Sequence, residues 1–119
     1  MATDLSGLKE IDGLIGACLV DSDSGLVLGK EGEGNFDLDT AAAGNTEVIR
    51  AKRKTMKALN IEGGIEDILI TLSDQYHLIR LLESNDAIFL YVVLDREKGN
   101  LGMARMVLKK VEQALDLSS

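Results

Sequence analysis

The chain has no proline and no tryptophan, only two tyrosines and two phenylalanines, and a single cysteine and histidine. Each scarcity excludes something. Without aromatics in number, the core must be aliphatic. One cysteine, Cys18, rules out an internal disulfide. It sits mid-strand between Ala17 and Leu19, where it reads as a buried small hydrophobe. His77 is the lone histidine, so no nucleophile–base pair is apparent and no catalytic residue is assigned. No apolar run approaches the ~20 residues that span a bilayer, so no membrane insertion is expected. The opening MATDLSGLKE lacks a positive segment followed by an apolar one, so no signal peptide and a cytoplasmic protein are expected. What is present is 119 residues of which 45% are hydrophobic. That is too many for disorder and enough for one domain, residues 1–119, with its own core.

The net charge of −7 is unevenly spread. Residues 1–49 hold ten acids and two bases; residues 50–119 hold ten acids and eleven bases. Five of the thirteen bases fall within Arg50–Lys57. Overall acidity and the lack of stacking aromatics argue against a nucleic-acid partner.

Residues Thr3 to about Ile11 predict a short helix, capped by Thr3 or Asp4, with Leu5, Leu8 and Ile11 on one face. Gly7 weakens it, so it depends on docking. Leu14–Val20 is a continuous apolar run, the mark of a strand covered on both faces. DSDSG turns the chain, and Leu26–Lys30 returns as strand two. Glu31–Asn35 is a polar loop. A long helix follows from Asp37 or Asp39 to about Leu59. Ala41, Gly44, Val48, Ala51, Thr55 and Leu59 lie along one side, read as its core stripe. Arg50, Arg53, Lys54 and Lys57 lie opposite. Ala42, Ile49 and Met56 form a shoulder at seven-residue spacing. Asn60 and Gly63–Gly64 end the helix. Asp67–Ser73 is strand three, Tyr76–Glu83 strand four, and Ala87–Leu94 the most hydrophobic strand, hence central. The last helix runs from about Leu101 to Asp116, with Met103, Val107, Val111 and Ala114 inward and Arg105, Lys109 and Glu112 outward. The order is α-β-β-α-β-β-β-α. Short turns predict antiparallel pairing, and strands apolar on both faces need helices on both faces.

The pattern I-x-G-x-x-G-A-x-L-V-D-x-D-x-G-L-V-L, Ile11 through Leu28, resembles the opening of the Roadblock family. That family includes the Roadblock-type dynein light chains and related bacterial GTPase-regulating proteins. Ser24 makes the turn one residue longer than the usual D-x-D-G, a departure confined to the turn. The resemblance implies an α+β, profilin-like fold. Its five-stranded antiparallel sheet would carry the long helix on one face and the other two helices on the opposite face. It also implies a homodimer built by edge-to-edge pairing of the third strands, with the long helices near the two-fold axis. Its members are similar in serving as platforms for small Ras-like GTPases, sometimes stimulating hydrolysis. A motor-associated light-chain adaptor without nucleotide dependence is the alternative, and a small-molecule sensor a more distant one.

Strand three, Ile68–Ser73, has none of the lysines, prolines or inward charges that protect a sheet edge. The residues alone fit an edge or an interior strand equally; the resemblance makes it an edge. Ile68, Leu69, Ile70, Thr71 and Leu72 are then candidate dimer contacts. Ala42, Ile49 and Met56 are a candidate helix seam, although a wide core-facing stripe fits the same spacing. Arg50, Arg53, Lys54 and Lys57 are a candidate surface for an acidic partner, against the plainer reading of a solvated face. The acids Glu62, Glu66, Asp67 and Asp74 flanking strand three read as loop solvation. DSDSG fails as a calcium loop: from Asp21, position six is Leu26 and position twelve Gly32, where an EF-hand needs Gly and Glu. Gly25, Gly29, Gly32 and Gly34 form no phosphate-binding loop, since no G-x-x-x-x-G-K-S/T exists. No metal or cofactor is expected.

Overall fold

The computed structural model describes residues 4–32 and 36–115. Thr3, the last three residues of the polar loop and Asp116 lie outside the described residues. The elements are a 3-10 turn at Ser6–Glu10, β1 (Leu14–Asp21), β2 (Leu26–Glu31), α1 (Leu38–Ala58), β3 (Asp67–Thr71), β4 (Gln75–Leu81), β5 (Ile88–Asp95) and α2 (Leu101–Ala114). This is the expected α+β order, with strand ends displaced by one or two residues. The first helix is shorter and tighter than expected. Its start takes a hydrogen bond from the Ser6 N–H to Asp4 Oδ1.

All five strands join one antiparallel sheet in the order β2-β1-β5-β4-β3. β5 is the middle strand, and its Phe89–Leu94 run is wholly buried. Alternation then divides the core in two. Ala17, Leu19, Leu78, Leu90, Val92 and Leu94 face the 3-10 turn and α2. Cys18, Val20, Ile79, Phe89, Tyr91 and Val93 face α1. One helix on one face and two on the other follow directly from strands that are apolar on both sides.

The turns obey local chemistry. The Asp23 N–H donates to Asp21 Oδ1 and the Leu26 N–H to Ser24 Oγ, while Gly25 takes φ +77°. Gly32 has φ +108°, and a Cβ there would lie 2.8 Å from Gly16 Cα. Its glycine is required where the chain leaves β2 against β1, which accounts for the residue without a ligand.

Asp37 caps α1 by accepting the Thr40 N–H at 3.0 Å. Asn100 caps α2 by accepting the Met103 N–H at 3.0 Å. Replacing Asn100 by Ala is expected to cost about 1 kcal/mol, a fall in melting temperature of roughly 4 °C, measured by circular dichroism.

The inward face of α2 differs from expectation. Ala104, Leu108 and Val111 are buried, while Met103 and Met106 are exposed. Glu112, expected in solvent, is almost fully buried beside Arg80. No described helix is long and apolar enough to cross a membrane.

Candidate partner-binding surface

Among the described residues β3 pairs with β4 alone, so half of its N–H and C=O groups point away from the sheet. Alternation turns Leu69 toward α2 and Ile68 toward α1; Ile70, opposite His77, shares the α1 side. All three are half-buried, and Thr71 is exposed. Asp67 at the strand start is gripped by Arg105 of α2, at 3.1 and 3.3 Å. Leu72 lies beyond the strand. Its N–H donates to Gln75 O and its carbonyl accepts from Arg96, so it belongs to the turn rather than to the edge.

The opposite edge, β2, is built differently. It carries Lys30 and Glu31, a register shift against β1, and a Lys30–Asp39 ion pair at 2.8 Å. Charge and a bulge are the features that discourage strand addition. β3 has neither along its central residues.

The orientation of α1 corrects the sequence reading. Ala42 and Ile49 are fully buried against the sheet together with Leu38 and Thr46, and Met56 is half-buried on the same face. Ala42 and Ile49 belong to the core stripe and are not free to form a seam; Met56 stands half-exposed beyond it. Thr46 satisfies its hydroxyl by donating to Ala42 O at 2.8 Å. The side taken for the core, with Gly44, Val48, Ala51, Thr55 and Leu59, is exposed, with Ala41 half-buried. Leu38, Ile49 and Met56 are bulkier than the glycine, alanines and threonine of that flank. Side-chain size decides which face packs on a flat sheet, and position counting alone does not weigh it.

The basic residues do not stand opposite the core stripe. Arg53 is half-buried at its margin and donates to Asp86 O at 2.6 Å. Arg50 donates to Ser22 O at 3.1 Å, to Asp23 O at 3.2 Å and to Glu47. The two arginines thereby pin the β1–β2 and β4–β5 turns to α1. Lys54 and Lys57 are exposed further along the same side.

Between the exposed flank of α1 and strands β4 and β5 lies a hollow of ≈ 400 Å³ lined by Phe36, Thr40, Ala41, Gly44, Val48, His77 and Tyr91. The His77 ring stands edge-on to Phe36 and Tyr91, with centroids 6.1 and 5.6 Å apart. Burial lowers the His77 pKa. Burial also pushes the Tyr91 phenol and the Cys18 thiol up to about 12. Both stay protonated near neutrality, so neither serves as a nucleophile. Among the described residues, no group of three or more metal-binding side chains is assembled.

No family model and no curated protein matches the sequence. Solved structures do match. A Roadblock/LC7 domain from Streptomyces avermitilis superposes with a TM-score of 0.77 at 16% identity, over 91% of this chain and 87% of that one. The gliding protein MglB from Thermus thermophilus gives 0.76 at 22% identity, over 92% and 79%. Myxococcus xanthus MglB gives 0.72 at 20% identity, over 84% and 78%. This chain has the Roadblock/LC7 fold. Within the Roadblock fold, the open side of the sheet beside α1 is bounded by β3. Sequence reading singled out β3 but missed the hollow. The signal for it was thin: His77 and Tyr91 fall on one face only once the β4–β5 register pairs Ile79 with Tyr91 and His77 with Val93.

Proposed function

We propose that this chain is a homodimeric regulator or scaffold of a small Ras-like GTPase, acting in the cytoplasm and without catalytic residues of its own. One observation carries the reading: an unprotected edge strand beside an exposed flank of small residues, in a Roadblock fold. Pairing β3 with its counterpart in a second copy satisfies the outward backbone groups and closes the assembly by a two-fold axis. The same axis brings the Ala41–Gly44–Val48 flanks together, and small residues let two helices approach closely. The seam is therefore assigned to this flank in place of Ala42, Ile49 and Met56. Strand and helix contacts together suit an interface of the standard ~1,600 Å². The Roadblock-like opening of the sequence and an MglB structure described as a tetrameric arrangement support self-association in this fold.

The GTPase would meet the basic side of α1. Arg50 and Arg53 are committed to turn carbonyls, so Lys54 and Lys57 supply the free positive charge, and hydrolysis would be stimulated by ordering the GTPase's own residues. The test is GTP turnover and binding by Ras-like GTPases of the same organism, with and without the protein. Binding at micromolar concentration is expected, weakened roughly tenfold by the double replacement of Lys54 and Lys57 by Glu. No binding and no change in turnover would sink the reading.

A further inference from the structure

We propose that His77 makes self-association of this chain pH-dependent: two copies bind while its ring is neutral and separate when it is protonated. This rests on the homodimer proposed above and goes beyond it.

The geometry fixes the ring in one tautomer. Nε2 lies 2.8 Å from Gln75 Oε1, and Nδ1 lies 2.9 Å from Tyr91 Oη. The Gln75 oxygen only accepts, so Nε2 carries the hydrogen and donates. Nδ1 is then bare and accepts the Tyr91 hydroxyl. A second proton can enter only at Nδ1, where it meets the Tyr91 O–H head-on. Tyr91 is buried, so its hydroxyl must turn within the packed face of α1, where Asn45 is the polar neighbour.

Among the described residues, no carboxylate is paired with the ring to support the cation directly. From α1, Asp37 lies at the rim of the hollow, but its two oxygens already accept the Thr40 N–H and hydroxyl. From β5, Tyr91 is neutral, and Asp95, across from Gln75, accepts the Glu97 N–H. Cys18, paired with Tyr91 from β1, is neutral. From β3, the facing residue is Ile70, with Ile68 next along that face. On β4 itself the neighbours along that face are Gln75 and Ile79. No ion pair to His77 forms among the described residues.

His77 is opposite Ile70 on the edge strand and lines the hollow beside Gly44 and Val48. A second copy laid along β3 and this flank removes the water that still reaches the ring. Burial already lowers its pKa in one copy, and closure lowers it further. The separated chains then bind more protons than the pair. The sign follows: association is full above the histidine range and is lost as pH falls through it. With one histidine per copy, the limiting slope is two protons, about a hundredfold in Kd per pH unit.

Tag-free protein and its His77→Gln variant should be compared by sedimentation velocity at pH 7.5, 6.5 and 5.5. Carboxylates titrate near pH 4 and stay outside this window. The unmodified chain should dissociate at least about tenfold more readily at pH 5.5 than at 7.5, and the variant should show no such change. As His77 is the only histidine in the sequence, its ring protons are also identifiable by NMR without mutagenesis. Its pKa should fall as protein concentration rises through Kd. A pair at pH 7.5 that holds equally at 5.5, or a ring pKa independent of concentration, overturns the role of His77 and leaves the homodimer standing. A variant that weakens as much as the parent assigns the protons elsewhere and overturns it too. A monomer at pH 7.5 removes both.

Discussion

Replacing Glu112 by Ala should lower stability by roughly 3 kcal/mol, or about 10 °C in melting temperature. Glu112 retains 7% of its side-chain exposure and Arg80 retains 13%. Oε1 of Glu112 accepts from Arg80 Nε at 2.7 Å, and Oε2 accepts the Glu83 N–H at 2.9 Å. Truncation thus strands a buried guanidinium and a backbone donor at once. Removing one partner of a buried pair costs about 3–5 kcal/mol, chiefly because the other charge remains without compensation. The lower end applies here, since Arg80 still has Glu83 at 3.8 Å. Glu112→Gln keeps one of the two acceptor oxygens, leaving one donor without its partner, and should lose less than Glu112→Ala. Pairing Arg80→Met with Glu112→Leu removes both charges and should recover most of the loss. Urea titration followed by circular dichroism gives the comparison. A Glu112→Ala protein within about 1 kcal/mol of the parent would mean that solvent reaches the pair and that α2 is held by its apolar stripe alone.

Glu112 also shows where sequence legibility stops. Its helix was readable, and so was the polar character of its position. Its partner was not, because Arg80 is 32 residues away on β4 and nothing in either segment encodes the meeting. The strand order was more open to inspection. Hairpin turns fixed β1 with β2 and β3 through β5 as antiparallel neighbours. Apolar character on both faces of Ile88–Asp95 placed β5 in the middle.

Helix rotation was the weak link in both helices, for one physical reason. α1 is rich in Ala, Gly and Thr, which neither insist on burial nor refuse it. A stripe of such residues satisfies helical periodicity on the wrong side as well as on the right one. The large side chains Leu38 and Ile49 settle the matter by filling the space above Cys18, Val20 and Tyr91. In α2 the sequence reading gave Met103 the inward role that Ala104 and Leu108 hold. The contacts of Arg50 and Arg53 with the turns at Ser22, Asp23 and Asp86 lie deeper still. Backbone carbonyls as partners leave no trace in side-chain patterning. The basic cluster therefore looked uniform in sequence, although half of it holds the fold and half faces solvent.

Replacing Ile70 by Asp should convert the protein from two chains to one at micromolar concentration, raising Kd by at least about a hundredfold. Ile70 lies near the centre of β3 and is half-buried in the single chain. A charge there is tolerated by the protomer, because the side chain can reach water at an unpaired edge. In the pair the same carboxylate would be enclosed beside His77 and the α1 flank. Two-fold symmetry would also bring a second copy of the charge to the same strand–strand junction. Inward charge at an edge is the device by which sheet proteins prevent strand addition, and β3 lacks it. The control is Leu26→Asp on the opposite edge, where Leu26 is 65% exposed at the turn end of β2; it should leave the mass unchanged. Light scattering reads the mass, and far-ultraviolet circular dichroism shows that the protomer persists. Adding Val48→Glu separates the two halves of the interface. If Ile70→Asp leaves the pair intact and Val48→Glu breaks it, the helices hold the dimer and β3 remains an open edge. If each alone gives a monomer, strand pairing and helix packing are coupled, as two contacts closed by one two-fold axis should be.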